Sequence, residues 1–244
     1  MKIFAKLLYW KLCFPSFIEL IPPRLRIVSG PFRGMRYTLV ACGSAHSAKL
    51  LGTYEKELHA IIDEILAEHF DAIIDIGAAE GYYAVGLARS SPSPRGVIAF
   101  EAQEQGRQLL QELAARNSVK NVDIRGACDV IGLEEALAGG HQKLIICDVE
   151  GFEAELLDPD RVPSLLQSSI LVELHDSPGA PVSDIIRQRF SHSHRIEEVL
   201  SVHRTWEDFP AKNLFARLLP RYLALRAMNE ARPLQKWFWM RPVQ

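Results

Sequence analysis

The sequence lacks the features that mark several large classes of protein. Its four cysteines form no CxxC pair, which argues against a zinc knuckle or a disulfide framework; they are Cys13, Cys42, Cys128 and Cys147. Scattered cysteines favour a reducing compartment, so we predict a cytoplasmic protein. No uncharged run approaches the roughly 18 residues that a membrane-spanning helix needs. The N-terminal stretch also lacks the small-residue cleavage pattern of a signal peptide.

The chain has no excess of charge of either sign. Lys and Arg number 28 against 30 Asp and Glu, which gives a net charge of -2. Proteins whose main ligand is nucleic acid usually carry a basic surface, so we expect no nucleic-acid partner. The 244 residues are 48% hydrophobic and 24% charged, which is typical of a globular chain and not of a disordered one.

The N-terminal part, residues 1–56, is predicted to be an extension in front of the main domain, residues 57–244. Apolar residues recur at helical spacing within residues 3–12, which predicts an amphipathic helix. Its apolar face is expected to pack on the body of the protein or on a second subunit, so a homo-oligomer is left open. A membrane-surface anchor is the alternative. Two β-prone segments, residues 25–29 and 35–40, flank the turn sequence SGPFRG and predict a hairpin.

From Asp71 onward, short apolar runs alternate with helical patterns. The apolar runs are AIIDI, VIAF, NVDI, KLIICDV and SSILVEL, and a helical pattern follows each of them. This alternation predicts an α/β domain with a doubly wound, mostly parallel sheet that helices cover on both faces. Ligands bind beyond the carboxyl ends of the strands in such sheets, so functional residues are expected directly after the strands.

Acidic and small residues occupy those positions. The turn DIGAAEG, residues 75–81, lacks the GxGxxG spacing of a dinucleotide site, and its acids Asp75 and Glu80 would repel a phosphate. A cofactor with a cationic group suits this turn better, although a plain strand-to-helix turn is the simpler alternative. Glu101 ends the next strand, where a carboxylate can accept both hydroxyls of a ribose. An acid that favours the positive end of a helix is the structural alternative for Glu101.

Four segments together resemble the FkbM-like family of S-adenosylmethionine-dependent methyltransferases. They are DIGAAEGYYAVGLA, VIAFEA, IICDVEGFEAELL and ILVELHD, and DVEGFE is the most specific piece. The resemblance runs from about Leu51 to Asp176, and Ala79 departs from the glycine that many methyltransferases carry at that position. It implies a Rossmann-like, seven-stranded sheet with one antiparallel strand near the C-terminal edge, which the terminal WFWM could supply.

The resemblance also implies S-adenosylmethionine as the cofactor and a set of residues that bind it. The expected contacts are Asp75, Gly77, Ala78 and Gly81 at the methionine part, Glu101 and Ala102 at the ribose, Cys128 and Asp129 near the adenine, and Asp148 beside the sulfonium and the acceptor.

Methyl transfer to a hydroxyl needs an in-line approach, and the hydroxyl must lose its proton or be polarised. His175 is the candidate base because the unperturbed pKa of histidine lies near neutrality, and a structural histidine at a strand end is the alternative. Asp148 and Glu150 complete the predicted catalytic set. Together with Glu173 and Asp176 they would also suit Mg²⁺, so this cofactor is left open, without a residue assigned as its ligand.

The sequence therefore predicts a methyltransferase that acts on a hydroxyl of a small molecule or a sugar. Two alternatives of other classes remain, a non-catalytic binding or scaffold protein on the same fold and a nicotinamide-dependent oxidoreductase.

Overall fold

A computed structural model describes residues 25–42, 45–90, 93, 95–177, 179, 181–210, 220–230 and 232–243. The predicted N-terminal amphipathic helix lies outside the described residues. The chain packs as two compact units, of which the first contains residues 1–59 and 202–233 and the second contains residues 60–201 and 234–244. The extension predicted from the sequence falls within the first unit, to which residues 202–233 also belong.

The second unit is built on a seven-stranded sheet. Its strands are β1 (Ala72–Ile76), β2 (Val97–Phe100), β3 (Val122–Arg125), β4 (Lys143–Cys147), β5 (Ser168–Leu174), β6 (His194–Leu200) and β7 (Lys236–Pro242). Their order across the sheet is β3-β2-β1-β4-β5-β7-β6, and β7 is antiparallel to both of its neighbours. The sequence WFWM lies in β7, so the predicted fold class is confirmed, including its one antiparallel strand.

Helices follow the parallel strands, as the alternating pattern predicts. In chain order the described helices are α1 (His46–Leu51), α2 (His59–Ala67), α3 (Tyr82–Ser90), α4 (Glu104–Arg116), α5 (Val130–Leu137), α6 (Glu153–Leu156), α7 (Val182–Phe190) and α8 (Arg221–Met228). Among the described residues, no helix has the length and apolar character that crossing a membrane requires.

The central strands are buried on both faces, which explains why their sequences are almost continuously apolar. Every residue of β1, β2 and β4 is buried. Because side chains alternate between the two faces of a strand, Ile74, Ile145 and Val172 belong to one apolar core. Asp75 on β1 and Glu173 on β5 therefore point to the opposite face, and this second face carries the candidate site.

The segments predicted to form a hairpin pair in the first unit through one antiparallel bridge, between Arg26 and Arg36. The backbone N–H of Ile27 donates to the carbonyl of Met35 at 2.9 Å, and the N–H of Tyr37 donates to the carbonyl of Leu25 at 2.9 Å.

The first unit also contains a network of buried ion pairs. The side chain of Arg204 is 6% exposed, and its guanidinium pairs with Glu57 and, at 2.8 Å, with Glu230. Arg232 pairs with Glu55 at 2.8 Å and with Glu230 at 3.0 Å. Removing one partner of a buried pair leaves an uncompensated charge in a medium of low dielectric, which is strongly destabilising.

Replacement of Arg204 by methionine is expected to lower the free energy of unfolding by about 3–5 kcal/mol, because the buried carboxylate of Glu57 loses its counter-ion and Glu230 keeps only Arg232 among the described residues. The control is Arg116→Met, which removes an exposed i,i+4 pair with Glu112 and is expected to change stability by less than about 1 kcal/mol. Chemical denaturation measures both effects. Equal effects of the two substitutions would show that the network stabilises no more than a surface pair does.

Candidate active site at the carboxyl ends of the strands

Carboxylates stand in a row on one face of the sheet. The backbone register places Glu101, Gly77, Asp148 and Glu173 side by side, one residue beyond the last paired positions of β2, β1 and β4 and within β5. Asp75 lies on the same face, two residues before Gly77. The carboxylates of Asp75, Glu101 and Glu173 are buried, and Asp148 is partly exposed. Buried carboxylates need hydrogen-bond donors or cations around them, so this row is the natural place for a positively charged ligand.

The turn between β1 and α3 is shaped by close packing against the end of β4. Gly77 has a φ of +86°, and a Cβ there would lie 1.7 Å from the carbonyl oxygen of Asp148. Gly81 has a φ of +91°. Ala79 has a φ of +48°, so the position where the sequence departs from the family's glycine still has the left-handed conformation that glycine favours. The departure therefore leaves the shape of the turn intact.

Glu101 links the end of β2 to this turn. Its Oε2 accepts the backbone N–H of Ala79 at 2.8 Å, and its Oε1 accepts the N–H of Gln103 at 2.7 Å. A Cβ on Gly106 would lie 2.7 Å from the Glu101 side chain, so a glycine there lets α4 pass close to the carboxylate. Each carboxylate oxygen has a second lone pair, so these bonds leave room to accept a ribose hydroxyl.

The other predicted cofactor residues lie around the same edge of the sheet. Ala78 is buried and donates its N–H to the carbonyl of Phe100 at 3.0 Å, whereas Ala102 is exposed. Asp129 caps α5, because its Oδ1 accepts the N–H of Gly132 at 2.7 Å. Burial raises the pKa of the Cys128 thiol to about 12, so this cysteine is a neutral thiol near pH 7 and not a nucleophile.

His175 lies at the centre of a cluster of acids beyond β4 and β5. Its Nδ1 lies 2.7 Å from Oε1 of Glu153. Its Nε2 lies 3.4 Å from Glu150, 3.8 Å from Asp148 and 3.9 Å from Glu173. The structure therefore brings together the three predicted catalytic residues. Among the described residues, one ligand atom each of Asp148, Glu173 and His175 lies within 4.8 Å of the others, which is close enough for a shared metal ion after a small adjustment.

Glu153 is the residue of this cluster that the sequence argument missed. It is fully buried, and its Oε1 also accepts the backbone N–H of Gly151 at 3.1 Å. The motif DVEGFE contains both acids, and the sequence predicts a catalytic role for the first, Glu150, whose side chain is 86% exposed. The left-handed backbone at Glu150 and Gly151 turns the first acid outward and the second inward. The available signal was the position of Glu153 at the start of α6, where an acid can reach back to the loop's N–H groups.

The charges of His175 and Glu153 support each other. The hydrogen bond to Glu153 raises the pKa of His175 above its ordinary 6.5, against the opposing effect of burial. Burial alone would raise the pKa of Glu153, but the hydrogen bonds from His175 and Gly151 lower it below its ordinary 4.5. Glu153 therefore fixes the orientation of the ring and favours its protonated form.

Asp176 does not join this cluster, although the sequence argument grouped it with the acids suited to Mg²⁺. Its carboxylate accepts hydrogen bonds from the backbone N–H and the hydroxyl of Ser183, at 2.8 and 2.7 Å, and lies 3.2 Å from the amine of Lys236.

No family model and no curated protein matches the chain. Among solved structures it is similar to precorrin-6y C5,15-methyltransferase from Geobacter metallireducens GS-15, with a TM-score of 0.49, 15% identity and coverage of 75% of this chain and 86% of that chain. It is also similar to an rRNA methylase from Streptococcus thermophilus, with a TM-score of 0.49, 12% identity and coverage of 77% and 97%. For an S-adenosylmethionine-dependent O-methyltransferase from Thermotoga maritima the TM-score is 0.46, the identity 15% and the coverage 76% and 64%. These solved structures are methyltransferases, and the resemblance of this chain to the FkbM-like family stays a prediction.

Replacement of Gly77 by alanine is expected to lower the free energy of unfolding by more than about 2 kcal/mol, because the residue would be strained in its left-handed conformation and its Cβ would displace the backbone at Asp148. The matched control is Gly126→Ala, because a Cβ at Gly126 would meet no atom within 4 Å. Thermal unfolding of both variants measures the difference, and equal stability would contradict the close approach of the two turns.

Replacement of Glu153 by glutamine is expected to lower the pKa of His175, because the ring loses its carboxylate partner while remaining half-buried. NMR titration of the His175 ring in chelator-treated protein measures this change. Glu155→Gln is the control, because Glu155 lies on the same helix with a side chain that is 64% exposed. An unchanged pKa in the Glu153 variant would mean that this carboxylate does not hold the ring.

Proposed function

We propose that this protein is an S-adenosylmethionine-dependent methyltransferase that methylates a hydroxyl oxygen of a small molecule or a sugar. The observation that carries the proposal is the row of Asp75, Glu101 and Asp148 at the carboxyl ends of three adjacent strands, on one face of the sheet. A donor with a cationic amino group and a sulfonium is attracted to such a row. The phosphates of a dinucleotide would be repelled by the same carboxylates, which argues against a nicotinamide cofactor.

The residues present fit the donor in its other parts as well. Glu101 can accept ribose hydroxyls while its bonds to Ala79 and Gln103 hold the carboxylate in place. The tight turn at Gly77 brings the backbone close to the row of acids, where side chains would fill the space. S-adenosylmethionine supplies the electrophilic methyl group when bound, and the remaining functions fall to the chain itself.

The acceptor hydroxyl is proposed to be activated at His175. Nδ1 of this ring is held by Glu153, so Nε2 is directed toward Asp148 and Glu150. A hydroxyl that approaches Nε2 can transfer its proton to the neutral ring, and Glu153 then stabilises the positive charge that develops there. Alternatively, Nε2 can bind a cation that polarises the hydroxyl. Positioning the hydroxyl in line with the methyl group supplies much of the remaining rate enhancement.

The test is calorimetry with S-adenosylmethionine and S-adenosylhomocysteine. Wild-type protein is expected to bind both, and Glu101→Gln is expected to weaken binding at least tenfold, which is about 1.4 kcal/mol. Glu104→Gln is the control, because this exposed acid begins α4 and accepts a hydrogen bond from Gln108 on the same helix. Absence of binding to wild-type protein would overturn the proposal.

His175→Ala separates catalysis from binding. Transfer of a labelled methyl group to a panel of sugars and small alcohols is expected for wild-type protein and lost in this variant, with binding of S-adenosylhomocysteine retained. Binding by wild-type protein without transfer to any member of the panel would instead favour the non-catalytic alternative.

A further inference from the structure

The cluster around His175 carries more negative charge than one imidazole can balance. Four carboxylates have an oxygen within 3.9 Å of a ring nitrogen; they belong to Asp148, Glu150, Glu153 and Glu173. A protonated ring balances one of these charges. Two of the four acids, Glu153 and Glu173, have side chains that are 0% and 1% exposed, so solvent screens them poorly. A cation bound among these acids would reduce their mutual repulsion.

Three of the groups have the spacing of ligands to a single ion. Nε2 of His175 lies 3.8 Å from Oδ1 of Asp148 and 3.9 Å from Oε1 of Glu173. One ligand atom from each of the three residues lies within 4.8 Å of the other two. Nitrogen and oxygen ligands lie roughly 2.0–2.2 Å from Zn²⁺, so two ligands of one ion are at most about 4.4 Å apart. The two distances from Nε2 already meet this limit.

The orientation of the ring is a second feature of a metal site. Histidines that bind metals usually donate their other ring N–H to a carboxylate, which fixes the tautomer and leaves the second nitrogen for the metal. Glu153 holds Nδ1 of His175 in this way at 2.7 Å, and Nε2 faces Asp148 and Glu173. Glu153 is fully buried, and its Oε2 has no hydrogen-bond partner in the described part of the chain.

A third and independent observation comes from β7. Trp237 pairs with Glu173 across the antiparallel strands, so the two side chains lie on the same face of the sheet. Trp237 is 1% exposed, and its indole N–H has no hydrogen-bond partner among the residues that the structure describes. Buried donors of this kind are rare in proteins. A buried donor on the residue that pairs with Glu173 suits an oxygen-bearing ligand, such as a water bound to an ion.

We propose that Asp148, Glu173 and His175 bind a divalent cation of the first transition series, such as Mn²⁺ or Zn²⁺. One imidazole nitrogen with two carboxylate oxygens suits these ions better than Mg²⁺, which prefers oxygen ligands alone. Glu150 is exposed and Asp176 is paired elsewhere, so neither is assigned as a ligand. Three protein ligands leave coordination positions for an acceptor hydroxyl, whose oxygen the cation would polarise. That role rests on the proposed function, whereas cation binding does not.

The experiment measures cation binding directly, without turnover. Chelator-treated full-length protein is titrated with Mn²⁺, Zn²⁺ and Mg²⁺ separately, by calorimetry and, for Mn²⁺, by electron paramagnetic resonance. One Mn²⁺ or Zn²⁺ per chain is expected, bound at least tenfold more tightly than Mg²⁺. The nitrogen coupling of His175 is expected in the pulsed spectrum of bound Mn²⁺ and is expected to be lost in His175→Gln.

Three variants test the assignment of ligands. His175→Gln and Glu173→Gln are each expected to weaken Mn²⁺ binding more than tenfold, and Glu153→Gln is expected to weaken it roughly 10–100-fold through the orientation of the ring. Asp176→Asn is the control, because the Asp176 carboxylate is bonded to Ser183 and Lys236 instead. The affinity of this variant for Mn²⁺ is expected to match that of the wild type. Thermal unfolding identifies any variant that fails to fold. If Glu173→Gln does not fold, the loss of Mn²⁺ binding in His175→Gln decides the test.

The outcomes separate this inference from the proposed function. Absence of Mn²⁺ and Zn²⁺ binding at roughly millimolar concentration, or binding that His175→Gln leaves unchanged, would overturn the metal site. Binding of S-adenosylhomocysteine in the same chelator-treated protein would show that the proposed function survives that result. Cation binding without any binding of S-adenosylhomocysteine would leave the metal site standing and remove the proposed function.

Discussion

The candidate site depends on the register of four parallel strands. Because β2, β1 and β4 end at the same level and β5 continues beside them, Glu101, Gly77, Asp148 and Glu173 stand side by side on one face. A slip of one residue in any of these strands would turn its acid into the apolar core on the other face. The buried pattern of the strands opposes such a slip, since it would also move isoleucine and valine side chains out of that core. The fold and the charge of the site are therefore set by the same packing.

The glycine at the centre of the row is part of this constraint. Gly77 contributes no side chain, and its Cα lies against the carbonyl of Asp148, so the turns after β1 and β4 are in contact. Backbone donors and a histidine hold two of the acids near it. Ala79 and Gln103 donate to Glu101, Gly151 donates to Glu153, and His175 binds Glu153 from the other side. The acidic character of this edge is the property that the proposed function and the proposed cation share.

The positions of β1 to β5 were predictable because each contains a short apolar run bounded by turn residues, and the terminal WFWM was predictable as a strand from its aromatic residues. The strand β6 was not among the predicted strands, because its sequence HRIEEVL is mostly polar. The residues after each strand were predictable as site candidates because the carboxyl ends of parallel strands meet at one edge. The choice between Glu150 and Glu153 was not predictable, because it depends on two consecutive left-handed residues that turn one acid outward and the other inward. The role of Asp176 was not predictable either, because its partners Ser183 and Lys236 come from a later helix and from the last strand.

The sequence by itself determined the class of fold, the edge of the sheet where ligands should bind and the acidic character of that edge. These features follow from local pattern, namely the period of the apolar residues and the residue types that end each run. Only the tertiary structure decided which acids face one another, that Glu153 orients His175, and that Trp237 lies opposite Glu173. The physical reason is that these relations join residues from β4, α6, β5 and β7, and distances between separate elements depend on packing and register that no local pattern contains.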